Sequence, residues 1–307
     1  MKSCKALTTP DTMWNFCPSL AASILFLVLF ALTTLAHLAQ AVYHRRPYCW
    51  VIVMSGALQV VTYVFRTVSI LTPASFGDYA AWFVLILIAP LWTNAFVYMV
   101  FGRAVWSYRD DGRVWGLSAR LFGIVFVALD IVALIIQVLG AVQAAQQHAP
   151  QHKVLLGLHV YMGGVGLQQL FILVFCLFSI KMFVDLRKGL GGKGEGPKAQ
   201  LLLVVLLTAL ALITLRIVFR LGEYSQGLDS SIPRHEAFQY CLDSLPMLIA
   251  LVLFNIIHPG RLMPRTDNEM PSVFRWGKKR GRPTQPGFAL DSISNRSVEA
   301  RAAGQQQ

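Results

Sequence analysis

Seven separate stretches of the chain are apolar for about 20 residues or more, at positions 18–41, 48–71, 80–102, 121–142, 154–180, 199–221 and 237–257. A bilayer hydrocarbon core of roughly 30 Å is crossed by about 20 residues of helix. No water reaches that core, so a spanning segment must satisfy its backbone polar groups internally, as a helix does. The pattern predicts an all-α, polytopic membrane protein with a seven-transmembrane-helix bundle. Composition agrees, because only 14% of residues are charged and 55% are hydrophobic, whereas soluble domains carry about 25% charged residues. The first stretch has features of a cleavable signal peptide, with Lys2 and Lys5 before it and Ala39-Gln40-Ala41 at its end. Its apolar run exceeds the roughly 7–15 residues of a signal core, so it is read as a span.

Cations set the orientation, since short cytoplasmic loops hold an excess of Lys and Arg. One side carries Arg45 and Arg46, then Arg103, Arg109, Arg113 and Arg120, then Lys181, Arg187, Lys188, Lys193 and Lys198, and finally nine in the tail. The other side carries only Lys2, Lys5, Lys153 and Arg234. The N-terminus is therefore expected outside and the C-terminus in the cytoplasm. Three parts follow: a short extracellular N-terminus over 1–17, a transmembrane domain over 18–260, and a disordered basic cytoplasmic tail over 261–307. In that tail Arg275, Lys278, Lys279, Arg280 and Arg282 form a basic run expected to lie against an anionic inner leaflet. A formal charge of +12 in so apolar a chain thus points to lipid, and no nucleic-acid partner is expected. The sequon Asn295-Arg296-Ser297 falls on the cytoplasmic side and is expected to be unglycosylated. A Gly-rich connection runs over 189–197 and reads as a flexible linker. It lacks the glycine and the Ser/Thr that a phosphate loop needs around Lys193.

Five cysteines, Cys4, Cys17, Cys49, Cys176 and Cys241, are odd in number and contain no CxxC pair. Neither a disulfide scaffold nor a zinc ribbon is suggested. His148, His152, His159 and His235 all fall near the outer face. Pro150 breaks the helical spacing of the first two, and no HExxH occurs, so the case for zinc is weak. With no serine elbow and no kinase signature, an enzyme is not expected, and neither a cofactor nor a metal is called for.

Ionisable groups inside spans cost at least about 2.5–3.5 kcal/mol at mid-bilayer, so each demands a partner or a purpose. Arg66, Arg216, Gln137 and Asp243 come from four different stretches, and each lies about 7–9 Å below the outer end of its own. Arg216, Arg220 and Glu223 recur at i, i+4, i+7 and form one stripe, as do Glu236, Gln239 and Asp243 on the last stretch. Two roles fit these stripes: pairing across a helix interface, and lining a cavity that holds the head of an amphiphile. They are compatible, because a pair that opens and recloses is a gate. Deeper, Asp130 has Gln137 two turns away on its own face, with Asn94 and the Gln168-Gln169 pair at comparable depth. That set is read either as interhelical hydrogen bonding or as a proton relay. Pro90 and Pro246 lie inside spans and are expected to free carbonyls.

Around these same positions the chain resembles the fungal RTA-like lipid-translocating exporter family over about 18–260. The segment Arg216-Ile217-Val218-Phe219-Arg220-Leu221-Gly222-Glu223 resembles the family's R-x-x-F-R-x-x-E. His235-Glu236, Tyr240, Asp243 and His258-Pro259-Gly260 match its H-E, Y, D and closing H-P-G, and Gly56, Tyr63, Arg66, Ala89-Pro90, Tyr98, Gly140 and Gly164 add weaker matches. Gln59 and Thr62 depart from the family's frequent Glu and Gly. The resemblance implies plasma-membrane translocation of amphiphiles of the sphingoid-base, sterol-like amine or porphyrin class. Arg66, Arg216, Arg220, Glu223, Glu236 and Asp243 are the expected substrate site, with Asp130, Gln137, Asn94 and Gln168 as the deeper polar core. An amine head would be held by the acids and an anionic head by the arginines. The rival expectation is a seven-span receptor that senses an amphiphile.

Overall fold

The computed structural model describes residues 4–144, 150–190, 196–224 and 235–263. His148, Arg234, most of the Gly-rich linker, the basic run at 275–282 and the sequon at Asn295 lie outside the described residues. Seven long apolar helices appear among those described. They are α1 Leu20–His44, α2 Cys49–Leu71, α3 Phe76–Tyr108, α4 Ala119–Ala144, α5 Gln151–Arg187 and α6 Gly196–Tyr224, followed by a composite α7. The last consists of a turn Glu236–Phe238, a π-helical segment Gln239–Ser244 and an α-helix Leu245–Ile256. Each covers one expected stretch. The longest, α5, has 37 residues and at 1.5 Å per residue extends about 55 Å, well past a bilayer core.

Consecutive helices pack as neighbours, α7 returns to α1, and α3 also meets α6. The bundle reverses the ordinary soluble pattern: Leu32, Leu35, Leu139 and Ile135 point outward, while Arg66, Thr93, Asn94, Asp130 and Asp243 are buried. Lipid tails are as apolar as leucine, so helix contact is driven by close packing and polar pairing instead. Gly157 of α5 supplies the first. A Cβ there would stand 2.6 Å from Ala144 N and 2.8 Å from Gly140 O, so only glycine lets the α4 and α5 backbones approach this closely.

Both span prolines act on the backbone. Pro90 has no N–H, which leaves the carbonyl of Ile86, four residues earlier in α3, without its helical donor. Pro246 follows directly on the π segment, at the first turn of the α-helix Leu245–Ile256, and likewise offers no N–H to the carbonyls of the turn before it. The π segment widens the register, with Leu245 N bonded to Tyr240 O. At the end of α7, His258 accepts from Gly260 N at 3.1 Å and caps the turn Pro259–Leu262. Its ring stacks on His44 at 4.3 Å, so the H-P-G triplet ties α7 to the end of α1.

Two features were not foreseen. A two-stranded hairpin pairs Arg113–Val114 with Leu117–Ser118 between α3 and α4. Its two turn residues, Trp115 and Gly116, both have positive φ, as a tight hairpin of matching twist requires. The second is a disulfide between Cys4 and Cys17, where the cysteine count and spacing suggested no disulfide scaffold. A single bridge within one polar lead-in leaves no spacing signature, and the odd total hid it. Cys49, Cys176 and Cys241 carry no disulfide, and Cys49 Sγ lies 3.6 Å from His258 Nε2.

Candidate functional site

The six charged residues expected at the outer end are gathered by the fold, and every one has an ionic partner. Arg66 on α2 spends its three nitrogens on α7: Nε donates to Tyr240 Oη at 3.0 Å, Nη1 to Gln239 Oε1 at 2.9 Å and Nη2 to Glu236 Oε1 at 2.8 Å. Positions 236, 239 and 240 share one face of a helical turn, which is why one planar guanidinium meets all three. The same guanidinium lies 4.6 Å from the Trp82 ring, 4.9 Å from Tyr240 and 5.3 Å from Trp14, an aromatic enclosure that favours a desolvated cation. Glu236 Oε2 also accepts from Ser19 N at 2.6 Å, at the start of α1.

The second group joins α6 to α7. Arg216 Nε lies 2.6 Å from Asp243 Oδ1, and Arg220 donates to both Asp243 oxygens, at 3.2 and 2.6 Å. Arg220 Nη1 reaches Glu223 Oε2 at 3.1 Å, while Arg216 Nη2 donates to Ile86 O at 2.7 Å. The carbonyl freed by Pro90 is therefore taken by an arginine from another helix. Three guanidiniums face three carboxylates, so the cluster is neutral as a whole. Asp243 is 1% exposed and Arg220 3%, and at such depth a charge is tolerated only when paired and fully hydrogen-bonded.

The deeper polar residues form two separate contacts. Asp130 Oδ2 accepts from Asn94 Nδ2 at 2.9 Å and from Tyr98 Oη at 3.1 Å. Gln137 instead donates to Gln168 Oε1 at 3.0 Å, so it joins neither Asp130 nor the ionic cluster, although it shares a face with the first and a depth with the second. Among the described residues no group of three or more His, Cys, Asp or Glu is placed to hold a metal ion.

Sequence reasoning missed Trp14, Trp82 and Ser19. Trp14 precedes α1, yet it is buried: Nε1 donates to Ser69 O at 3.1 Å and the ring stacks on Trp82 at 5.3 Å. Nothing in a polar lead-in marks such a residue, except that a tryptophan is costly to leave in water. Beside this cap an apolar cleft of about 680 Å³ opens between α3 and α4, reaching from Met13 to Val142. At the far end of α3, Arg109 donates to Asp111 at 3.0 Å and to Asp185 at 2.7 Å, and Lys181 reaches Asp185 at 2.5 Å. The Arg109 hydrogen bond holds the Asp111 carboxyl below the usual carboxylate range.

A seven-helix membrane bundle with a neutralised charge cluster under one end and a lipid-facing cleft beside it defines a polytopic membrane protein with a polar core. A family model described as RTA1 like protein matches residues 52–266, and the chain belongs to that family. It is 37% identical over 272 residues to the probable lipid transporter atnI of Emericella nidulans, covering 84% of this chain and 70% of the relative. Protoporphyrin uptake protein 1 of Saccharomyces cerevisiae is 26% identical over 81% of this chain and 94% of its own length. The sphingoid long-chain base transporter RSB1 of the same yeast is 22% identical over 83% and 75%. No solved structure matches the chain.

Proposed function

We propose that this protein translocates amphiphilic, lipid-like molecules across the plasma membrane, with its N-terminus outside and its C-terminus in the cytoplasm. The observation that carries the reading is the juxtaposition of a buried, internally neutral charge cluster with an apolar cleft at the same end of the bundle. Such a pair suits a molecule with one polar and one apolar end. Arg66, Arg216, Arg220, Glu223, Glu236 and Asp243 meet the head, exchanging their mutual bonds for bonds to it and re-forming them afterwards. Glu236 and Asp243 are the partners for an amine, and the arginines for an anion. Asp130 with Asn94, and Gln137 with Gln168, form the deeper polar path. The names of the relatives, a lipid transporter, a long-chain base transporter and a porphyrin uptake protein, support a cargo of this class and favour transport over catalysis. Orientation is supported by the bias of Lys and Arg and by the Cys4–Cys17 disulfide, a bond of oxidising compartments. The basic tail rests on the anionic inner leaflet.

The test is reconstitution into liposomes and leaflet exchange of a fluorescent long-chain amine. Wild type is compared with Asp243→Asn and Arg220→Gln at matched insertion. Exchange above that of protein-free liposomes, lost in both variants, is expected. No exchange under any imposed pH gradient overturns the reading and favours a receptor.

A further inference from the structure

The cleft between α3 and α4 has walls of Tyr79, Phe83 and Leu87 on one side and Val138 and Ala141 on the other, with Met13 at its rim. Its volume of about 680 Å³ lies within the roughly 300–1,000 Å³ of small-molecule sites. The surrounding surface is apolar, with Phe76, Leu139 and Val142 all more than half exposed, so the mouth opens toward acyl chains. Among its described lining residues only Tyr79 carries a hydroxyl, and it marks the end beside Trp14. There Tyr79 packs edge-on against Trp14 at 5.3 Å and Trp82 at 5.2 Å, the two rings that also enclose the Arg66 guanidinium. The N-terminal segment roofs this end. It is held down by Met13 N on Pro73 O at 2.9 Å and by the Trp14 bond to Ser69 O, and is closed on itself by Cys4–Cys17.

We propose that this cleft seats the single aliphatic chain of an amphiphile, under the disulfide-closed roof, with Tyr79 meeting a hydrogen-bond-donating head such as an amine. The choice of ligand rests on the translocation reading; the site itself rests on its shape and lining. Hydrocarbon is the occupant that costs least in a lipid-facing apolar cleft. A head at Tyr79 stands at the edge of the charge cluster, so one molecule spans both halves of the site. The Arg66–Glu236 pair lies behind Tyr79, with the Glu236 carboxylate as the next partner an amine head would meet.

The experiment is photolabelling of the full chain in nanodiscs by a long-chain amine carrying a diazirine at mid-chain, with the adducts mapped by peptide mass spectrometry. Saturable labelling concentrated on Phe83, Val138 and Ala141 is expected. Ala141→Phe, which puts a ring into the cleft where a chain would lie, should cut it at least fivefold, whereas Leu139→Phe on the outward face should leave it unchanged. Labelling that does not saturate, that is equal in Ala141→Phe, or that excess phospholipid removes as well as unlabelled amine does, would mean an ordinary bilayer chain and overturn the site. Leaflet exchange is measured on the same samples. Specific labelling without exchange defeats the transport reading and leaves the site standing, and exchange without specific labelling does the reverse.

Discussion

Replacing Asp243 by Asn preserves the shape of the side chain and removes the one carboxylate that both Arg216 and Arg220 contact. The cluster then carries an uncompensated positive charge in a site that is almost wholly buried. Removing one member of a buried ion pair costs about 3–5 kcal/mol. Arg220 keeps Glu223 and Arg216 keeps Ile86 O, which places the loss toward the lower part of that range. For a domain of this size about 2–4 °C of Tm accompanies each kcal/mol, so Asp243→Asn should lower the Tm by roughly 6–12 °C in nanodiscs. Arg220→Gln in the same chain restores neutrality. The double variant should therefore be more stable than the sum of the two losses by about 1–3 kcal/mol, the coupling of residues in one network. Thermal unfolding of the four proteins closes the cycle. Losses that add to within about 0.5 kcal/mol, or an Asp243→Asn loss below about 1 kcal/mol, would refute the view that this pairing holds α6 to α7.

Arg216→Lys keeps the charge but not the fork that serves Asp243 and Ile86 O together, and should cost about 1–3 kcal/mol in Tm measurements. On α5, Gly157→Ala should lower folded yield by overpacking worth about 1–3 kcal/mol. Gly163→Ala, where a Cβ meets nothing within 4 Å, should leave size-exclusion profiles unchanged. Reducing Cys4–Cys17 opens a loop of 13-residue separation, which corresponds to about 3 kcal/mol at such lengths. The Cys4→Ser/Cys17→Ser variant should match reduced wild type in Tm and no longer respond to a dithiol. Asp111, with its carboxyl lowered by Arg109, contributes stability that is present above the unfolded value of about 3.9 and lost as pH falls through the folded one. Because it is half exposed, Asp111→Asn should shift stability by less than about 1 kcal/mol between pH 5 and 8.

The spans were legible because lipid imposes a length, and every apolar stretch of that length became a helix. Their overhangs were not, since the parts of α3 and α5 beyond the bilayer carry charged residues such as Arg103 and Asp185 that a hydropathy window reads as loop. Pairing between the arginine and carboxylate stripes was legible from i, i+4, i+7 spacing, which fixes a face. Which carboxylate meets which arginine was not, because the π segment changes the register of α7 between Glu236 and Asp243. Depth alone placed Gln137 with the charged residues, yet face decides contact, and its face is toward Gln168. Pro90 announced a freed carbonyl, but the donor that takes it, Arg216, lies 130 residues away. The roof over the site depends on Trp14 and on a cysteine pair that carries no motif.

The ion pair between Arg66 and Glu236 joins residues 170 positions apart. At about 5–20 residues per second of synthesis, the arginine of the second helix is made some 10–30 s before its carboxylate exists. The arginines of the sixth helix likewise precede Asp243. Until the last helix arrives, the growing protein holds three cations against the one carboxylate of Glu223, so two charges that lipid disfavours have to shelter at the interface, in water or against the insertion machinery. Maturation is thereby tied to completion. A chain that stops before its final span cannot neutralise what it has already inserted, and so presents the cell with a built-in mark of an unfinished product.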